Sequence, residues 1–174
     1  MRIGEGGSNP DNFWCLESTN TLYFAASTAD GIEPWKLGPS DSSPSMLIDY
    51  VSGTGSSQPF IFGEYGGSII MALTDATNGR ELFLVNPTSV AATLLADINP
   101  GPGASSPSNI IIRDDSLFCS ASITAGNTEI FEIDLTTGIP ILYRELYPGS
   151  TAGARGSHAV FGDWLMMAMQ VEDE

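Results

Sequence analysis

Acidic side chains recur along the 174-residue sequence, and they are its main candidates for chemistry. Two sets of carboxylates repeat at an interval of 48 residues. The first set is Glu33, Glu81 and Glu129, and the second is Asp49, Asp97 and Glu145. Two carboxyl groups about 5 to 10 Å apart in a cleft could serve glycoside hydrolysis. Acids that recur in every repeat instead occupy equivalent places in separate units. We therefore expect them to be structural, with each carboxylate accepting backbone N–H groups at a turn.

Calcium is the alternative for these acids, because hard cations prefer oxygen ligands. The sequence contains neither an EF-hand loop nor a glycine-rich calcium-binding nonapeptide. A zinc site would need three or four Cys or His ligands, and the chain has only Cys15, Cys119 and His158, which lie far apart. We predict no cofactor and no metal-binding residues, with calcium kept as the alternative. We expect the two cysteines to be small buried apolar residues rather than a disulfide.

The single histidine is the other candidate for catalysis. His158 follows a glycine-rich segment, residues 149–157, that lacks the GxSxG sequence of a nucleophile elbow. A Ser-His-Asp hydrolase needs a nucleophile and an acid beside the histidine. We expect His158 to be solvated or packed in a loop, and we predict no catalytic residues. Arg155 and His158 do depart from the repeat, so an enzyme remains an alternative.

The charge of the chain excludes several classes of partner. Lys36 is the only lysine, the five arginines are scattered, and the formal net charge is -15. Nucleic acids and anionic membranes require clustered basic groups. No apolar run approaches the roughly 20 residues of a membrane-spanning helix, so we expect no membrane insertion. The first fifteen residues contain no apolar segment, so we expect no signal peptide in this chain.

An internal repeat of about 48 residues must position these side chains. An apolar segment recurs at residues 22–26, 69–73, 117–121 and 165–169. Each repeat is predicted to hold four short strands, which in the second repeat are residues 60–64, 69–74, 81–85 and 93–98. The second strand of each repeat is apolar on both faces, so both faces must be covered.

Sheets that stack face to face provide that cover, which favours a β-propeller. We predict an all-β fold of fourteen strands, or about three and a half four-stranded blades. The predicted repeats are residues 11–58, 59–106, 107–156 and a partial repeat, 157–171. Residues 1–174 would form one repeat domain, a fragment of a larger propeller. A β-trefoil is the alternative, but it leaves the half repeat unexplained.

Aromatic residues occupy one repeat position, at Trp35, Phe83 and Phe131. Large apolar groups at a fixed strand position normally fill a core, so we expect packing between blades rather than stacking against sugars. We expect the same core role for Trp14 and Trp164.

The repeat resembles the ELWxxDGT-type repeat of large bacterial secreted and surface proteins. The matching segments are residues 22–26, Asp30-Gly31 with 33–35, 79–83, 97–101 and 105–107. The Asp-Gly-Thr that follows the aromatic residue in the family is replaced here by Lys36-Leu37-Gly38. The resemblance implies a propeller-like fold and an extracellular, adhesion-like role, and the family has no assigned catalytic residues.

These observations predict a non-enzymatic binding or adhesion module, extracellular or at the cell surface. Its ligand, a carbohydrate or a protein, would bind the loops at one face of the blades. The alternatives are a carbohydrate-active or lyase-type propeller enzyme domain and a structural spacer of a large surface protein. The apolar last strand, Trp164–Gln170, has no later strand to cover it, which predicts a homo-oligomer formed through this half-blade.

Overall fold

A computed structural model describes residues 7–124, 127–144, 154–161 and 164–169. These residues form β-strands joined by turns, and none of them lies in a helix. The strands in chain order are β1 (Asp11–Leu16), β2 (Thr21–Thr28), β3 (Gly31–Leu37), β4 (Ser45–Met46), β5 (Phe60–Tyr65), β6 (Ser68–Asp75), β7 (Gly79–Asn86), β8 (Ala91–Ala96), β9 (Ser108–Arg113), β10 (Ser116–Thr124), β11 (Asn127–Asp134), β12 (Pro140–Arg144), β13 (Ala154–Phe161) and β14 (Trp164–Met169).

Consecutive strands pair with one another, so that each of the first three repeats forms its own four-stranded antiparallel sheet. The sheet orders are β1-β2-β3-β4, β5-β6-β7-β8 and β12-β11-β10-β9, and β13 pairs with β14 in a two-stranded sheet. The predicted strands of the second repeat overlap β5 to β8 with small shifts at their ends. The prediction of an all-β chain with four strands in each full repeat is confirmed.

In the three full repeats, the central residues of the second strands β2, β6 and β10 are buried on both faces, as their sequences predict. In β6, residues Ile69 to Leu73 are all fully buried. The turn before this strand uses Gly66 and Gly67, whose φ angles are 59° and 80°. Two successive positive φ values suit the tight hairpin turn that matches the twist of the flanking strands.

The recurring aromatic position is buried in all three sheets. Trp35, Phe83 and Phe131 are 8%, 2% and 6% exposed, which confirms their expected core role. Trp14 packs half-buried against a core cluster. The same expectation is wrong for Trp164, which is 74% exposed. Trp164 lies at the hairpin end of β14 opposite Phe161, and within the described residues β14 pairs only with β13.

The contacts divide the chain into two compact units. The first comprises Met1–Asp75 and Leu82–Leu94, and the second comprises Ala76–Glu81 and Leu95–Glu174. The first unit contains two core clusters: a larger one of Tyr23, Leu47, Ile61, Ile69, Met71, Leu73, Phe83 and Val85, and a smaller one of Phe24, Ala26 and Trp35. The second unit contains the sheet of β9 to β12 and its buried residues, among them Leu117, Ile130 and Ile133.

Both cysteines are free thiols. Cys119 is fully buried, and burial raises the pKa of its thiol well above the ordinary value. The expectation of burial is wrong for Cys15, which is exposed. The cause is the position of β1 at the edge of its sheet, where exposed and half-buried side chains alternate and Cys15 falls on the exposed face.

Candidate functional site

The recurring glutamates lie on the third strand of each sheet and point into the protein. Glu33, Glu81 and Glu129 are on β3, β7 and β11, and they are 0%, 0% and 2% exposed. Carboxylates are rarely this buried unless hydrogen bonds replace the lost water. The hydrogen-bond donors around each glutamate therefore determine its role.

Glu33 is held by the loop that follows its own sheet. The backbone N–H of Ser57 donates to Oε1 at 2.9 Å, and the Ser57 hydroxyl donates to Oε2 at 2.6 Å. The backbone N–H of Tyr50 also donates to Oε2, at 3.2 Å. Three donors thus converge on one buried carboxyl group.

Glu81 repeats this arrangement in the second unit. The N–H of Ser105 donates to Oε1 at 2.8 Å, its hydroxyl donates to Oε2 at 2.5 Å, and the N–H of Ile98 donates to Oε2 at 3.0 Å. The donors lie 17 and 24 residues after the glutamate in both cases. We call each glutamate with its serine a carboxylate latch. The predicted contact of these acids with backbone N–H groups is confirmed for Glu33 and Glu81.

Each latch also reaches the second strand of the following repeat. The carbonyl oxygen of Ser57 accepts the N–H of Thr74 on β6 at 2.8 Å. In the second unit the carbonyl oxygen of Ser105 accepts the N–H of Ser122 on β10 at 2.9 Å. One serine therefore joins the third strand of one repeat to the second strand of the next.

Glycines allow the loop to approach the latch. Gly31 and Gly79 precede the two glutamates by two residues and have φ angles of 92° and 69°. A Cβ atom on Gly31 would lie 1.5 Å from the Gly55 carbonyl oxygen, and one on Gly79 would lie 2.5 Å from that of Gly103. Only glycine combines this backbone conformation with this close approach. The role of these glycines was not predicted, although their 48-residue interval is visible in the sequence.

The third repeat departs from this pattern. Asn127 occupies the position of Gly31 and Gly79, and it is buried with no hydrogen-bond partner for Oδ1 within the described residues. The positions 17 and 24 residues after Glu129 lie outside the described residues. The sequence has glycine rather than serine at residue 153.

Burial and hydrogen bonding act on the acidity of these groups in opposite directions. Desolvation raises the pKa of Glu33 and Glu81, and it outweighs the hydrogen bonds from Ser57 and Ser105, which lower the pKa. The negative charge of Asp97 raises the pKa of Glu81 further. A carboxyl group enclosed in this way has no exposed surface on which to meet a substrate.

The second set of recurring acids does not share one environment. Asp49 is exposed, Asp97 is half-buried, and Glu145 lies outside the described residues. Within the part of the chain that the structure describes, no three Cys, His, Asp or Glu side chains form a group that could hold a metal ion. No helix there is long and apolar enough to cross a membrane.

A groove in the first unit gathers polar side chains that are open to solvent. It has a volume of about 420 Å³. Its lining comprises Leu16, Ser18, Thr19, Thr21, Tyr23, Lys36, Gly38, Asp41, Glu64, Gly67, Pro87 and Thr88. We call this the Lys36 groove. Its volume falls within the range of small-molecule sites, about 300 to 1,000 Å³.

Local hydrogen bonds hold the charged groups of this groove in place. Lys36 Nζ donates to the Pro87 carbonyl oxygen at 3.4 Å. Asp41 Oδ2 accepts the N–H of Gly38 at 2.7 Å. Glu64 Oε1 accepts the N–H of Gly67 at 2.5 Å. The two carboxylates bind the backbone through one oxygen each, so the other oxygen of each remains able to accept a hydrogen bond.

The Lys36 groove uses residues that do not recur. Lys36 follows the recurring aromatic position, where the next two repeats have Leu84 and Glu132. Glu64 is replaced by Ile112 one repeat later. This site was not predicted, because the only departures from the repeat taken as signals were Arg155 and His158.

His158 and Arg155 lie on β13, where His158 is opposite Met167. Their side chains are outside the described part of the structure, so the expectation of a solvated or loop-packed histidine stays a prediction.

In comparisons with known proteins, no protein-family model and no curated protein matches the chain. The interpretation of the site therefore depends on the residues of this chain and on their internal repeat.

Proposed function

We propose that this protein is a non-enzymatic, extracellular binding module built from β-propeller blades of the ELWxxDGT type. The observation that carries the proposal is the contrast between its two kinds of acidic residue. Glu33 and Glu81 recur and are enclosed by backbone and hydroxyl donors. Asp41 and Glu64 do not recur, and they line an open groove with Lys36.

This contrast distinguishes the residues that maintain the fold from the residues that bind a ligand. Residues that repeat serve what all repeats have in common, which is folding and the connection of one sheet to the next. Residues that depart from the repeat are free to serve a single site. Rigid strands that present a loop-lined groove are a common arrangement for ligand binding.

The propeller part of the proposal is supported by strand pairing. Four consecutive strands of each full repeat form a separate antiparallel sheet, as the strands of a blade do. The latches join the third strand of one repeat to the second strand of the next through Ser57 and through Ser105. Such a contact suits blades that succeed one another along a chain.

A panel of extracellular glycans and matrix proteins on a biosensor tests the proposal, together with product analysis of every glycan that binds. We expect reversible binding of at least one panel member and recovery of that ligand unchanged. Conversion of a ligand to product that is lost in Asp41→Asn or Glu64→Gln, the acids that line the open groove, would instead establish the carbohydrate-active or lyase-type alternative. Absence of binding to the whole panel would favour the structural spacer.

A further inference from the structure

The Lys36 groove combines one ammonium group, two carboxylates and a row of hydroxyl groups. We infer that it binds a neutral, hydroxyl-rich ligand, a short saccharide, and this inference rests on the proposed binding function. Lys36 Nζ uses one of its three N–H groups on Pro87. Asp41 and Glu64 each use one oxygen on a backbone N–H group.

The remaining groups match the hydrogen-bonding capacity of a sugar. A sugar hydroxyl both donates and accepts, so it can donate to a carboxylate oxygen and accept from the ammonium group. Hydrogen bonds to charged groups are about twice as strong as those between neutral groups. Thr19 and Thr21 add hydroxyls at the same wall, with their Oγ1 atoms 3.0 Å apart. Leu16 and Pro87 supply apolar surface for the C–H face of a ring.

The charges of the groove discriminate between ligand classes. Two carboxylates against one ammonium group leave the lining net negative, and the chain as a whole carries a formal charge of -15. Phosphates, sulfates and uronic acids would be repelled by the negative charge of the lining and by that of the whole chain. A small cation would be repelled by the positive charge of Lys36. A neutral polyhydroxy ligand avoids both conflicts.

The single lysine gives this inference a selective probe. Metabolic labelling with ¹³C-lysine and ¹³C-histidine labels Lys36 and His158, the single residue of each type, and leaves all three N–H groups of Lys36 in place. The Lys36 signal then reports on the groove, and the signal of His158, which lies on β13 in the second unit, is the internal reference within one NMR spectrum. The titrants are maltose, cellobiose, lactose and N,N′-diacetylchitobiose, with digalacturonic acid as the anionic counterpart.

We expect a saturable shift of the Lys36 signal with at least one neutral disaccharide, an unshifted His158 signal, and a weaker response to digalacturonic acid. Glu64→Gln removes the charge but keeps an acceptor, and it should weaken binding about tenfold or more. The matched control is Asp30→Asn, which changes an exposed acid outside the groove lining and should leave the affinity unchanged.

The inference is overturned if no neutral disaccharide moves the Lys36 signal, if digalacturonic acid moves it more, or if the two variants behave alike. Binding of a biosensor ligand without any response at Lys36 would refute the groove assignment and leave the proposed function standing. Conversion of a disaccharide to product would refute the proposed non-enzymatic function instead.

Discussion

The carboxylate latch of the second unit makes a quantitative prediction for Ser105→Ala. The substitution removes the hydroxyl that donates to Glu81 Oε2 at 2.5 Å, while the backbone N–H of residue 105 keeps its bond to Oε1. Ser105 and Glu81 are both fully buried, so water cannot replace the lost donor. Removing a hydrogen bond to a charged group costs about 1.5 to 3 kcal/mol of unfolding free energy. For a chain of this length, that loss lowers Tm by roughly 3 to 12 °C.

Urea and thermal unfolding, followed by circular dichroism, measure this loss. Ser57→Ala should cost a similar amount, because the Ser57 hydroxyl lies 2.6 Å from Glu33 Oε2. The matched control is Ser106→Ala, which changes the adjacent, exposed serine and should stay within about 0.5 kcal/mol of the wild type. If Ser105→Ala costs no more than Ser106→Ala, the latch does not stabilise the fold and the reasoning is refuted.

Three further predictions concern acidity, thiol reactivity and assembly. The pKa of Glu81 is raised from 4.5, so its contribution to stability is present below pH 4.5 and is lost as the pH rises through the folded-state pKa. Unfolding measured from neutral pH down to 4.5 should therefore show the wild type gaining stability relative to Glu81→Gln; a constant difference would contradict this. A thiol reagent should label Cys15 in the native protein and Cys119 only after unfolding, because Cys119 is buried; two equally fast reactions would contradict this. Light scattering should show association that increases with concentration, since Trp164 and Met166 are 74% and 58% exposed; a concentration-independent monomer would contradict this.

The 48-residue period and the apolar patterns within it were sufficient to predict the strands, and the recurrence of Glu33 and Glu81 was sufficient to predict that they accept backbone N–H groups; their burial on the third strands was not predicted. Strand positions follow from local apolar patterns and turn residues, which can be read directly. The period also indicated that recurring acids are structural. Their serine partners could not be derived in the same way, because the 24-residue separation depends on how the loop closes against the third strand.

The Lys36 groove illustrates a second limit of sequence reasoning. Its lining comes from four separate segments, around residues 16–23, 36–41, 64–67 and 87–88. No local pattern brings these segments together, and only the tertiary fold does so. The available signal was the break in the repeat at Lys36, which follows an aromatic residue that otherwise recurs with different neighbours.

The two errors in burial have a common physical cause. Cys15 lies on β1, an edge strand, and Trp164 lies at the hairpin end of a two-stranded sheet. Residue type predicts burial well in central strands, where both faces are covered. At sheet edges the side-chain direction and the number of neighbouring strands decide exposure, and neither is visible in residue type alone.

Amide hydrogen exchange of the unmodified protein tests most directly whether the recurring carboxylates hold the loops. The N–H groups of Ser57 and Ser105 lie in loops but donate to buried glutamates. We predict that they exchange only through large-scale unfolding, far more slowly than the exposed loop residues Thr54 and Ala104. Equal exchange rates for all four amides would contradict the structural role of the recurring acids.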